Sequence, residues 1–453
     1  MPPCFLTYAL SVNSSVLIDI RQLRIGMYIQ LDLGWMHHPF PVSSFRVASA
    51  EQIATLRELG LTEVRYVPKK SDPDLRELPL PLVDNPGEAQ PADAPGAVRE
   101  ATAPAPLATP TDPAVDEAAA RRRQLLEAQN RALAQCNQRF GEATRRYVAL
   151  EKVVVDHPER ARTEGEVLVA GCVNDLLNNG DSVIRLLSEG VGEPGALHPV
   201  NVLVVCLLLG KALGMKAEEL QDLGVAALVH DVGKLRLADV HKNAQPHMPA
   251  PDRARYEGHV RESVALAGRM GLGKPVLLAI AQHHEMVDGS GFPMRLTAHD
   301  LSRAGQVLAL VNHYDRLCSP GSGMGGLTPH EALSVIFAQH KARFDAVVLG
   351  AFIRMMGVYP PGSIVQLVND RYAIVASVNS SRPLRPKVIV HDPRVPKDEA
   401  PILDLETVPE LGIRRSLKPA QLPREALDYL SPRKRICYFF ERAVAPVPEE
   451  GGA

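Results

Sequence analysis

The tightest constraint on this chain is a set of ionisable side chains placed inside apolar, helix-patterned sequence. His230-Asp231 opens the run His230-Asp231-Val232-Gly233-Lys234, and His283-His284-Glu285 precedes Asp288-Gly289-Ser290-Gly291-Phe292-Pro293. Imidazoles and carboxylates are unfavourable in an apolar interior unless they are paired or bind a cation. A fold for this chain must bring them together. His198 precedes the doublets, His259 lies between them, and a helical pattern around Asn312 and Asp315 follows. The inventory suits a His-rich, carboxylate-poor pocket able to hold two divalent metal ions.

Each component is ambiguous by itself. His198 opens a helix whose apolar face continues through Val202, Val205 and Leu209, where a single His is more often a core or capping residue than a ligand. His230 and Asp231 close the helix that starts at Ala217, and Gly233 is expected to end it in the left-handed conformation. Asp231 could then bridge two cations while Lys234 meets a phosphate oxygen. A His–Asp hydrogen bond with Lys234 in solvent satisfies the doublet equally well. His283-His284 ends a helix from Lys274, and adjacent helical residues point about 100° apart. Both serve one site only at a frayed end, which the loop 288–293 supplies, its glycines allowing backbone to approach a ligand.

The rest of the chain sets the context. At 453 residues it is long enough for two or three domains, and 50 Lys+Arg against 52 Asp+Glu gives no global field toward DNA, RNA or an anionic membrane. Six scattered cysteines without a C-x-x-C pair read as reduced thiols, so a cytoplasmic setting is expected. Residues 1–15 lack a signal-peptide pattern, and the apolar run 202–209 is far shorter than the roughly 20 residues of a membrane span. The segmentation reads as an N-terminal tail (1–15), a small α+β domain (16–83), a Pro/Ala-rich linker (84–118) and a connecting helix (119–163). A helical metal-binding domain (164–350), a C-terminal β extension (351–410) and a tail (411–453) follow. Within the first domain, 16–20, 27–31 and 63–67 are strand-like and 50–59 helical, with Ser49 as its cap.

Taken together, His198, His230-Asp231-x-Gly-Lys234, His259 and His283-His284-Glu285-x-x-Asp288-Gly-x-Gly291-Phe292-Pro293 resemble the HD-GYP subgroup of the HD metal-dependent phosphohydrolases, over roughly 164–392. The block with residues 23–27 and Trp35-Met36-His37-His38-Pro39-Phe40 resembles a small domain of unknown role often found ahead of HD-GYP. The resemblance implies a mainly α, multi-domain protein: an all-α HD-type metallohydrolase domain between a small α+β domain and a small β extension. It implies hydrolysis of the bacterial second messenger cyclic di-GMP, to the linear dinucleotide or GMP, on a centre of iron or manganese. His198, His230, Asp231, His259, His283, His284 and Asn312 become the ligand positions, with Asp231 bridging. Asp231 and Lys234 become the catalytic pair, and Lys234, Asp288, Gly291, Phe292 and Pro293 the substrate side. GGDEF-type or other signalling proteins, and a second copy of the chain, are the implied partners.

Four departures separate this chain from that pattern. Asn312 stands where the family has a metal-binding Asp, with Asp315 one turn on at a position the family uses for support. Pro194 stands where three-metal members carry a Glu, which leaves two metals at most. Phe292 replaces a Tyr, and 319–326 is Gly-rich where basic residues usually meet phosphates. Three functions stay open from sequence: a cyclic di-GMP phosphodiesterase, a non-catalytic module that binds the nucleotide or a protein, and an HD hydrolase of another phosphate ester.

Overall fold

A computed structural model describes residues 16–30, 44–58, 61–72, 113–178, 182–243, 247–321, 325–379, 384–408 and 410–442. They fall into two compact units divided between Leu125 and Leu126. The 35–40 cluster, the tail 1–15 and most of the expected linker lie outside the described residues.

The first unit holds β1 (Val16–Asp19), β2 (Tyr28–Gln30), β3 (Ser44–Arg46) and β4 (Glu63–Tyr66), an antiparallel sheet in the order β1-β4-β2-β3, with α1 (Ala50–Glu58). Alternation explains it: Ile18, Ile29, Val64 and Tyr66 are buried with Met27, Val47 and Leu56 in one core. Ser49 caps α1, its Oγ accepting from Gln52 N at 3.3 Å. β3 went unread because three residues show no period.

The second unit is helical around a buried central helix, α4 (Leu197–Ala212). α2 (Pro113–Val153) begins inside the expected linker, its Ala-rich start favouring helix, and belongs to this unit from Leu126 onward. Its later turns are not merely a connector, since Cys136, Phe140, Tyr147 and Leu150 are buried. α3 (Pro158–Asn178) is followed by β5 (Ser182–Leu186), a strand where helical pattern was expected through 187. The apolar residues of β5 fit either period, and pairing with distant strands decides. α4 is apolar on all sides because nearly every residue from Pro199 to Gly210 is buried. With its leading turn, 194–212, it is long and apolar enough to cross a membrane, and 72% of that window is buried inside the fold. Around it come α5 (Ala217–Val229), α6 (Ala250–Glu257), α7 (His259–Arg269), α8 (Lys274–Gln282), α9 (Arg303–Cys318), α10 (Pro329–Gln339) and α11 (Ala346–Met356).

The β extension is larger than the sequence suggested. β6 (Ile364–Leu367), β7 (Tyr372–Asn379), β8 (Lys387–Val390), β9 (Ile402–Asp404) and β10 (Ile413–Leu417) are joined by β5 and, after α12 (Arg424–Leu430), by β11 (Tyr438–Arg442). The long β7 pairs with β6 along its first half, with β5 along its second and with β8, while β11 pairs with β5. Two expectations are thereby corrected: β5 takes the helical block into the sheet, and 411–442 is structured rather than tail. Phe439 and Phe440 bury the last strand, and residues 443–453 lie outside the described ones.

Candidate metal centre

Helix ends build the site. His198 is in the first turn of α4, His230 caps α5 with Asp231 next, His259 begins α7, and His283 caps α8 with His284 next. A residue at a helix end escapes the 100° spacing of a continuing helix, which is how two doublets can serve one place. Asp231, His259, His283 and His284 offer ligand atoms within 4.8 Å of one another, and His198, His230 and Asp231 form a second such group. Six of the seven expected ligand positions are gathered, and Asp231 is common to both groups.

The imidazoles are aimed by their other nitrogen. His230 Nδ1 donates to Ala227 O at 2.7 Å, His283 Nδ1 to Ile280 O at 2.6 Å, and His259 Nδ1 to Tyr256 O. A carbonyl can only accept, so Nδ1 carries the proton and Nε2 keeps its lone pair. His198 Nδ1 meets Asp315 Oδ2 at 2.6 Å, with the same result. The freed nitrogens converge: His198 and His230 Nε2 lie 3.2 Å apart, His259 and His283 Nε2 3.3 Å apart. Facing lone pairs at this separation repel without a cation between them. Burial lowers His283 to about 4 and holds His230 and His284 well below the usual imidazole value, so these rings are neutral at pH 7.

Asp231 is the pivot. Burial would raise its carboxyl, but Lys234, His230 and Arg316 outweigh it and hold it well below the usual range. Its Oδ2 accepts from Lys234 Nζ at 2.7 Å and Arg316 Nη2 at 2.6 Å. Its Oδ1 lies 3.3 Å from His259 Nε2 and 3.7 Å from His283 Nε2. Oδ1 and His284 Nε2 are both buried without a hydrogen-bond partner. Two orphaned donor atoms in one four-ligand group fit a divalent cation.

Lys234 is therefore not in solvent: burial, reinforced by Arg316, pushes its ammonium down to about 8, and Nζ lies 5.6 Å from the centre of the Tyr256 ring. Gly233 does not end α5 in the left-handed region; it lies in a 3-10 turn over Val232–Arg236. A Cβ there would lie 2.3 Å from His259 O and Ser263 N, so the glycine is required by the approach of α7. Asn312, the seventh expected ligand, has its side-chain oxygen engaged by Arg316, Oδ1 accepting from Nε at 3.0 Å. Asp315 supports, as its family position implies: Oδ1 accepts from Asn201 Nδ2 at 2.5 Å while Oδ2 holds His198.

The loop after His284 is braced from below. Glu285 accepts from Met294 N at 2.6 Å and Leu296 N at 2.9 Å. Asp288, expected on the substrate side, accepts from Ser290 N at 2.9 Å and Oγ at 2.6 Å, shaping its own turn. A Cβ on Gly291 would lie 2.5 Å from backbone of residues 284–286, so its close approach is to the ligand helix end. Phe292 stacks on His284 at 4.4 Å between ring centres. Gly291, Phe292 and Pro293 line a 710 Å³ groove together with Arg253, Tyr256 and Arg295. These arginines and Arg316 were missed because they carry no family motif; the helical i, i+4 spacing of Asn312 and Arg316 was the available signal.

Two domain models match the chain, and several curated proteins and solved structures are similar to it. The model of the HD domain matches residues 127–348, and that of a domain of unknown function, DUF3391, matches 15–162. A cyclic di-GMP phosphodiesterase of Pseudomonas aeruginosa is 27% identical over 82% of this chain and 84% of its own length. A 3'3'-cGAMP-specific phosphodiesterase of Vibrio cholerae is 28% identical over 38% of this chain and 34% of its own. A solved structure of an HDG"Y"P protein from Bdellovibrio bacteriovorus aligns over 75% of this chain and 98% of that one, at 16% identity and a TM-score of 0.41. The chain thus carries an HD domain, matched over 127–348, and an N-terminal DUF3391 domain, matched over 15–162.

Proposed function

We propose that this protein is a metal-dependent phosphodiesterase that hydrolyses cyclic di-GMP in bacterial second-messenger signalling. The observation that carries the reading is the pair of ligand groups joined at Asp231, beside a groove with cationic and aromatic walls. The similar Pseudomonas protein, matched over 84% of its length, bears the name of a cyclic di-GMP phosphodiesterase. The Vibrio relative bears the name of a 3'3'-cGAMP enzyme, so the substrate class is the cyclic dinucleotides.

Asp231, His259, His283 and His284 would hold one divalent ion, iron or manganese by the imidazole-rich donor set, and His198, His230 and Asp231 frame a second position. A bound ion there supplies positive charge against phosphoryl oxygens and acidifies water. The chain supplies the rest. Asp231 positions both groups, and Lys234, leaving Asp231, donates to a non-bridging phosphate oxygen. Arg253 and Arg295 face the second phosphate, while Phe292 and Tyr256 offer ring faces to a base. The groove volume is in the range of small-molecule sites. A cytoplasmic setting, a GGDEF-type or other signalling partner, and a homodimer belong to the same proposal. The non-catalytic alternative rested on Asn312 and on missing basic residues, yet Arg253, Arg295 and Arg316 supply cations from other segments.

The test is turnover of cyclic di-GMP by purified protein loaded anaerobically with Fe(II) or Mn(II), with 3'3'-cGAMP as comparator and chromatography to separate the linear dinucleotide from GMP. Hydrolysis that chelation abolishes is expected. Binding without any turnover would sink the reading in favour of a non-catalytic receptor.

A further inference from the structure

The two ligand groups are not equivalent, and the asymmetry lies in the Asp231 carboxylate. On one side, Oδ1 and the neighbouring His284 Nε2 are buried without partners. On the other, Oδ2 is already met by two cations, Arg316 Nη2 at 2.6 Å and Lys234 Nζ at 2.7 Å. The Arg316 guanidinium is fixed rather than wandering, because Nε donates to Asn312 Oδ1 at 3.0 Å from one turn earlier on α9. An amide at 312 aims the guanidinium without adding the negative charge that would draw in a metal ion. It also leaves His198, His230 and Asp231 as a three-residue group with no fourth His, Cys, Asp or Glu among the described residues.

We propose that Arg316, aimed by Asn312, is a built-in cation on the His198–His230 side of Asp231, so that the centre binds one divalent ion tightly, on the His259–His283–His284 side. The proposal rests on the ligand reading above. It makes Asn312 and Arg316, one turn apart on α9, a single device: the residue at the expected ligand position becomes the clamp for the group that replaces the ion. A guanidinium on the shared carboxylate oxygen opposes a divalent ion entering that side, and like charges about 4 Å apart weaken such binding on the order of 100-fold or more. Arg316 also supplies permanently, to an incoming phosphodiester, positive charge that a second ion would lend only while bound.

The experiment is metal stoichiometry on the full chain, independent of turnover. Protein is loaded with Mn(II), desalted, measured by elemental analysis, and its electron paramagnetic resonance recorded, with circular dichroism to verify folding. The wild type is expected to retain about one ion per chain with the spectrum of an isolated Mn(II). Arg316→Ala combined with Asn312→Asp is expected to retain about two, with a coupled spectrum. In the wild-type background His284→Ala is expected to lose the ion and His198→Ala to keep it, a pair that decides the matter even if the double variant fails to fold. Two equally tight ions in the wild type, or one ion in a folded double variant, would overturn the inference alone. No ion in any variant would overturn the ligand reading beneath it.

Discussion

At the scale of single residues, the site works by denying each polar group any partner but the intended one. Asp231→Asn removes the only carboxylate shared by both ligand groups. Metal affinity should fall by more than the roughly 10–100-fold typical of losing a supporting hydrogen bond, measured by chelator competition. Asp315→Asn acts differently, because Asp315 holds His198 and Asn201 rather than the tight ion. Its charge-assisted bonds are each worth about 1.5–3 kcal/mol, so a loss of a few kcal/mol in denaturant melts is expected with the ion retained. His283 makes stability depend on pH. Its folded value of about 4 lies below the usual 6.5, so the unfolded chain binds more protons between those values. The stability is complete above pH 6.5 and is lost as pH falls toward 4, by roughly 3 kcal/mol. Chelator-treated protein followed in urea from pH 7 to 4.5 should show that slope, and a flat profile would contradict the burial of a neutral ring.

At the scale of elements, helix ends and two glycines carry the precision. Gly233 and Gly291 each stand where a Cβ would meet backbone under 3 Å away, against α7 and against residues 284–286 respectively. Gly233→Ala and Gly291→Ala should each destabilise by more than about 1 kcal/mol, because neither backbone contact can relax by rotating a side chain. Gly291→Ala should also displace Phe292 from His284, visible as a raised KM with metal content retained. These elements show what was legible in the sequence. Helix ends at 230 and 283 were readable because apolar periodicity stops there and the ionisable doublets begin. Gly233 was readable as special but not for the right reason, since its neighbour is a helix thirty residues on. Asn312 was readable as a departure, whereas the use of its oxygen depended on Arg316 reaching Asp231, 85 positions away. β5 was unreadable for a similar reason: its partners are β7 and β11, and local pattern does not encode strands so distant.

At the scale of the whole molecule, the sheet is part of the site's support. Tyr438 at the start of β11 donates its N–H to Asn201 Oδ1 at 2.7 Å, and Asn201 in turn holds the Asp315 that orients His198. The Tyr438 hydroxyl also lies 2.9 Å from Tyr314 Oη and 3.2 Å from Pro361 O. Tyr438→Phe should cost about 1–3 kcal/mol, since it leaves buried acceptors short of a donor, and thermal melts would reveal it. Asn201 and Tyr438 are 237 positions apart. At 5–20 residues per second a ribosome needs roughly 12–47 s to travel between them. Within that interval Asp231 and His284 follow His198 off the ribosome, while the strand that locks Asn201 does not yet exist. The pocket thus has a birth order, in which its ligands precede their scaffold and a nascent chain can meet metal before it can hold its imidazoles still.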